Sequence, residues 1–238
     1  MGRTTVVLWD IDGTLLRTPG IGVRAFVVAV ERVTGVVWTP ERLDFGGRTD
    51  PDIAARILES AGLTDPPLVP QVLAALVIAY EEIGADLQTA VRVLPGVVRV
   101  LAEFDDRNAI QTVVTGNLRE SAAAKIAAAG LGHRLRLELG GYGTDHVERA
   151  ELVRLALARV AAAGSDFRPA DVWVIGDTPR DLACARANGV RCALVATGTY
   201  SIDVLDNIGA DLVLADLSDP LSLLDAVGGD VTAIDSHN

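Results

Sequence analysis

The sequence predicts an α/β protein: a doubly wound parallel sheet with an inserted helical domain. Short Val/Ile/Leu-rich runs recur at 4–9, 110–115, 171–175 and 190–195. Runs so continuously apolar suit strands covered on both faces. Helical patterns at 97–105, 118–129, 148–163 and 179–187 alternate with them, which winds a parallel sheet with helices on both sides. The alternation fails once, between the first two strands, where 22–34, 51–61 and 68–87 all read as helix.

That helical insertion lies between two turn signals, "TPG" at 18–20 and "LPG" at 94–96. In open α/β sheets ligands bind beyond the carboxyl ends of the strands. An insertion leaving strand one therefore sits over the binding end and reads as a cap. The expected division is a core of 1–17 and 93–227 and a cap of 18–92. A run at 211–214 adds an edge strand, and the polar tail 228–238 reads as loose.

Composition narrows the class. Of 238 residues half are hydrophobic but only 4% aromatic, so the core is built from Val, Leu, Ile and Ala. A net charge of −11 argues against a nucleic-acid partner, which is met by Lys and Arg stripes. An acidic protein that handles anions needs a metal or a helix N-terminus to reverse the sign locally. No apolar run reaches membrane-spanning length and no signal segment opens the chain, so a soluble, cytoplasmic protein is expected. Cys184 and Cys192 lack metal-ligand spacing and read as buried reduced thiols.

The residues just past each strand carry the chemistry. Strand one ends in Asp10-Ile11-Asp12-Gly13-Thr14, the second in Thr115-Gly116-Asn117, and the run at 171–175 in Gly176-Asp177-Thr178-Pro179-Arg180-Asp181. Each could be helix capping alone, because Asp, Thr and Asn are favoured caps. Together they gather four carboxylates at one sheet edge, where they repel one another unless a cation is present. Hard oxygen donors of this kind suit Mg2+. Gly13 comes too early for a calcium EF-hand loop.

"DIDGTLL", "VVTGN" and "IGDTPRD", in this order and at these strand ends, resemble motifs one, two and four of the haloacid dehalogenase superfamily. The resemblance implies its Rossmann-like core and a nucleophile at Asp10 that takes a phosphoryl group as aspartyl-phosphate. It implies Asp12 as the acid that protonates the leaving alkoxide and the base that later takes a proton from water. It implies Mg2+ held by Asp10, the Asp12 backbone carbonyl and Asp177, with Asp181 as a further or outer ligand. Thr115 and the amides of Gly116 and Asn117 would hold phosphoryl oxygens. A second acid at Asp12 favours phosphoesters over halide release, and a cap of 18–92 without lysine excludes phosphonatase Schiff-base chemistry.

The chain departs from the family at motif three, which normally supplies a lysine. Arg149, at the start of the helix before the 171–175 strand, is the substitute in the right place; its alternative is a surface arginine paired with Asp145 or Glu148. His146 beside it reads as plain surface. The single lysine, Lys125, lies eight residues past Asn117, roughly 12 Å down a helix. "RESAAAK" therefore reads as a solvated face with Glu/Lys pairing.

In the cap, "DFGGRTDPDIAARILESAG" resembles the substrate loop of phosphoglycolate-phosphatase-like members. Arg48 could meet a substrate carboxylate or phosphate, while Thr49 could contact substrate or, like Asp50, simply cap the next helix. Arg17 belongs either to the hinge or to the solvent-exposed surface. The expected activity is Mg2+-dependent hydrolysis of a small phosphorylated metabolite. A sugar phosphomutase of the same superfamily and a catalytically weak regulatory relative stand as alternatives.

Overall fold

The computed structural model describes residues 4–39, 45–63 and 68–228, and the tail expected to be loose falls almost wholly outside them. The chain opens with β1 (Val6–Trp9), makes the short strand β2 (Leu16–Arg17), and enters the cap. Four helices come next: α1 (Ile21–Thr34), α2 (Asp50–Ser60), α3 (Leu68–Glu82) and α4 (Gly84–Ala90). The strand β3 (Arg92–Val93) then pairs antiparallel with β2. This two-stranded ribbon carries the chain out of the core and back.

The core resumes with α5 (Val97–Asp106), β4 (Ile110–Thr115), α6 (Arg119–Ala128), β5 (Gly141–Tyr142), α7 (Arg149–Ala162) and β6 (Val172–Gly176). It ends with α8 (Pro179–Ala187), β7 (Arg191–Val195), α9 (Ile202–Asp206), β8 (Leu212–Leu214) and α10 (Pro220–Gly228). All five strand pairings in the main sheet are parallel, in the order β5-β4-β1-β6-β7-β8. The expected strands are present, with β8 at the edge. The chain leaves β1 toward β4 on one side and returns to β6 on the other, so the topological switch point lies at the end of β1.

Sheet register sets the site. Trp9 lies level with Val113 of β4 and Ile175 of β6. Asp10 is one residue beyond that level, and Thr115 and Asp177 are two. Three neighbouring strands thus release their polar residues at the same edge. Below them both sheet faces are dry: Trp9, Phe104 and Trp173 pack on one face, and Leu8, Val153 and Val174 on the other. The Trp9 indole donates to Gln111, which satisfies the polar atom of a fully buried ring.

The cap helices bury their own apolar cluster, including Phe26, Ile57, Leu76 and Tyr80, with Leu118 of the core joining it. Each side chain fully buried there contributes roughly 1.5–3 kcal/mol. The expected helix 68–87 is instead two, bent by 69° at Ile83. Gly84 weakens the helix there, and the turn lets Ile83 and Leu87 both face inward. Among the described residues no single helix is long and apolar enough to cross a membrane. Cys184 and Cys192 are buried and free, as expected.

Candidate active site

Asp10 comes directly after β1, and its backbone N–H still donates to Ile175 of β6 at 2.8 Å. The chain then turns tightly: Thr14, Leu15 and Leu16 all donate to the Ile11 carbonyl. Gly13 makes this possible with φ +90°, and a Cβ there would collide with the Asp177 carboxylate. Gly198, after β7, clears the same carboxylate from the other side.

Asp10, Asp177 and Asp181 converge, each offering a carboxylate oxygen within 4.8 Å of the others, and all three are buried. Burial pushes the Asp10 carboxyl well above the usual carboxylate range; Arg149 opposes this, and the charges of Asp181 and Asp12 add to it. Asp177 is pushed up in the same way, by burial and then by Asp10 and Asp181. Asp10 and Asp177 bind protons abnormally well because they are buried beside other carboxylates, a crowding that Arg149 only partly offsets. A hard divalent ion such as Mg2+ fits that donor set, and the two glycines keep the space around Asp177 free of side chains.

Arg149 supplies a cation on this side. Its Nη2 lies 2.9 Å from Asp10 Oδ1 and donates to Asp181 Oδ1 at 2.5 Å. The Arg149 side chain is 9% exposed, and among the described residues its ion pairs are to Asp10 and Asp181, not to Glu148 or to Asp145, which Arg159 holds. His146 is exposed and only accepts the Glu148 N–H. Asp181 also caps α8, accepting from the Thr178 N–H and hydroxyl. Capping and site-building are therefore one arrangement at this residue.

Asp12 stands apart from the acidic triad. Its Oδ2 accepts from Asn117 Nδ2 at 2.8 Å and from Lys125 Nζ at 2.6 Å, while Asn117 Oδ1 accepts from the same Nζ at 2.7 Å. Lys125 is 3% exposed, which corrects the expectation of a solvated face. Along α6 it is only six residues past Arg119, about 9 Å, and helical side chains lean toward the N-terminus. An extended lysine therefore reaches back to the phosphate-loop end. Distance along the helix axis alone leaves that lean out.

Thr115 is fully buried, and its hydroxyl oxygen accepts from the Asn117 backbone and side-chain amides. Above Gly116 runs the cap loop: a Cβ at this glycine would strike the Arg48 carbonyl. The Asp50 N–H donates to the Gly116 carbonyl at 2.7 Å. The sequence marks Asp50 only as a cap for the helix it precedes. It does cap a helix end, but in the core: its carboxylate accepts the Leu118 N–H at the start of α6, where Leu118 has no polar side chain to do so. Burial pushes the Asp50 carboxyl up to about 6, with Lys125 pulling against it.

Thr49 caps α2 by accepting the Asp52 N–H and donates to the Val147 carbonyl, so its hydroxyl is already engaged. Arg48 pairs with Asp52 at 2.7 Å and lines the cavity. Arg17 is exposed and sits in the β2–β3 ribbon, donating to the carbonyls of Thr197 and Gly198. Cap and core thus line a partly open cavity of about 500 Å³, floored by Asp10, Asp12 and Asp177 and roofed by Phe26, Phe45 and Tyr80.

The haloacid dehalogenase-like hydrolase family model matches residues 7–198. The chain belongs to that family, a class already outlined by the strand-end acids. Phosphoglycolate phosphatase from Cupriavidus necator is 29% identical over 90% of both chains. The protein described as "Probable phosphatase IndB" from Dickeya dadantii is 28% identical over 84% of both. Among solved structures, CbbY from Rhodobacter sphaeroides in complex with phosphate superposes with a TM-score of 0.72 at 20% identity, covering 91% of this chain and 96% of that one. Within its family, then, the chain stands with the phosphatases, which are phosphoric monoester hydrolases.

Proposed function

We propose that the protein is a Mg2+-dependent phosphatase that hydrolyses a small phosphorylated metabolite through an aspartyl-phosphate on Asp10. The observation that carries this reading is the Asp10–Asp177–Asp181 cluster, with Arg149 against it, at the floor of a capped cavity. Asp10 and Asp177, with the Asp12 backbone carbonyl, would hold the ion, and Asp181 would orient Arg149. A bound divalent cation would offset the repulsion between the anionic nucleophile and the phosphate.

The residues then divide the work. Asp10 attacks phosphorus as the bond to the leaving oxygen breaks, and Asp12 gives that oxygen a proton. In the second half Asp12 takes a proton from water, whose oxygen displaces Asp10 from phosphorus. Arg149 keeps Asp10 oriented, and the Gly116 amide would meet a phosphoryl oxygen. The apolar roof of Phe26, Phe45 and Tyr80 would restrict water at the reacting atoms, and a cavity of this size suits a small metabolite rather than a protein.

The test is a panel of small phosphorylated metabolites and p-nitrophenyl phosphate, assayed with Mg2+ and with EDTA. Phosphate release with Mg2+ only, lost by at least about a thousandfold in Asp10→Asn, is expected. Activity that survives in Asp10→Asn overturns the covalent mechanism. Transfer of the phosphoryl group to a sugar phosphate in preference to water would instead identify a mutase.

A further inference from the structure

We propose that Lys125 is a positioning residue for Asp12, orienting the carboxyl that serves as acid and base; this rests on the phosphatase reading above. The geometry is a closed triangle. Lys125 Nζ and Asn117 Nδ2 both donate to Asp12 Oδ2, and Lys125 also donates to Asn117 Oδ1. Asn117 is tied in turn to the Thr115 hydroxyl at 2.7 Å. Asp12 itself is half-exposed and stands in a loop, so nothing in its own turn fixes its side chain. Two donors on one oxygen remove that freedom.

The lysine is in turn held from the cap. Tyr80 of α3 places its ring 5.8 Å from Nζ, and Asp50 of α2 faces it with a buried carboxylate. Burial works against the ammonium, but Asp12, Tyr80 and Asp50 keep it charged well above the ordinary range. Lys125 therefore links the seated cap to the orientation of Asp12. Its role differs from that of Arg149, which bonds Asp10 and Asp181 and does not bond Asp12.

Two donors on Oδ2 also decide which oxygen works. An oxygen that already accepts two N–H bonds is a poor seat for a proton, so Oδ1 carries it. As Asp10 bonds to phosphorus, the electron pair of the breaking P–O bond stays on the leaving oxygen, which takes the Oδ1 proton. When water later attacks phosphorus and releases Asp10, Oδ1 receives the proton of water.

The test compares two esters that differ in their need for that proton. A simple alkyl phosphate leaves as a strongly basic alkoxide, whereas 2,4-dinitrophenyl phosphate leaves without help. The quantity compared is kcat/KM with Mg2+, which reports the first half-reaction only. Lys125→Met is expected to lose about a hundredfold or more on the alkyl ester and less than about tenfold on the dinitrophenyl ester. Equal losses on both esters overturn the proposal, because a fold defect or a lost phosphate contact does not distinguish leaving groups. If Lys125→Met does not fold by circular dichroism, Lys125→Gln carries the same comparison. Wild-type protein inert toward both esters would sink the phosphatase reading and this inference with it, whereas a normal wild type with equal losses sinks the inference alone.

Discussion

Asp50, in the cap, accepts a hydrogen bond from the backbone N–H of Leu118 at 2.8 Å, so an acid from one domain caps the first helical turn of the other. The adjoining bond from the Asp50 N–H to the Gly116 carbonyl ties the same residue to the phosphate loop. One residue therefore both holds the cap loop against the core and completes the start of α6.

This acid gives the metal-free protein a pH signature. Its carboxyl titrates near 6 in the folded chain against an ordinary value of 3.8. A raised carboxyl means that the folded state binds the proton more tightly, so its contribution is full below about pH 4 and lost as pH rises through 6. Urea unfolding in EDTA is expected to show wild type losing of order 2–3 kcal/mol more than Asp50→Asn between pH 4 and pH 7. Parallel pH curves for the two proteins would refute this account of Asp50.

Arg149 neutralises two buried acids, and removing it leaves both uncompensated. Arg149→Met is expected to cost about 3–5 kcal/mol of stability in EDTA, and kcat/KM about a hundredfold or more. Arg149→Lys restores neither fully, because one ammonium does not reproduce the planar fork. Full activity in the lysine variant would show that charge alone suffices.

On the proposed reading that Asp10 and Asp177 hold Mg2+, the ion must displace protons that both hold above the usual carboxylate range. Binding therefore releases protons and weakens as pH falls. Calorimetry is expected to give an affinity at least about tenfold lower at pH 6 than at pH 8, with heats that depend on the buffer. Asp177→Asn is expected to abolish the binding. A pH-independent affinity contradicts the assignment of these acids as ligands.

Gly116 is where the cap loop comes closest to the core. Gly116→Ala drives a methyl group into the Arg48 carbonyl and unseats the loop. A loss of roughly a hundredfold in kcat/KM is expected, with faster proteolysis of the cap loop. Unchanged protease sensitivity would mean the loop accommodates the methyl group in place.

Much of this is legible along the chain. Continuous apolar runs reveal β1, β4, β6 and β7, and their polar endings name Asp10, Asp12, Thr115, Asp177 and Asp181. The strands β2, β3 and β5, two residues each, and the five-residue α9 are too short to show any periodicity. Gly84 is the signal for the α3–α4 bend, and the apolar residues on both sides obscure it. Asp50 carries a local capping signal that points to the wrong helix.

By itself the sequence determined the sheet, the strand-end acids and the place of the cap, because each depends on residues adjacent in the chain. Only the tertiary structure decided how two cations divide three of the four acids: Arg149 takes Asp10 and Asp181, Lys125 takes Asp12. Lys125 and Asp12 are 113 residues apart, and their pairing comes from strand register and the lean of a helical side chain. A charge buried that deeply persists only where its partners are brought to it, and local pattern holds no record of which partners those are.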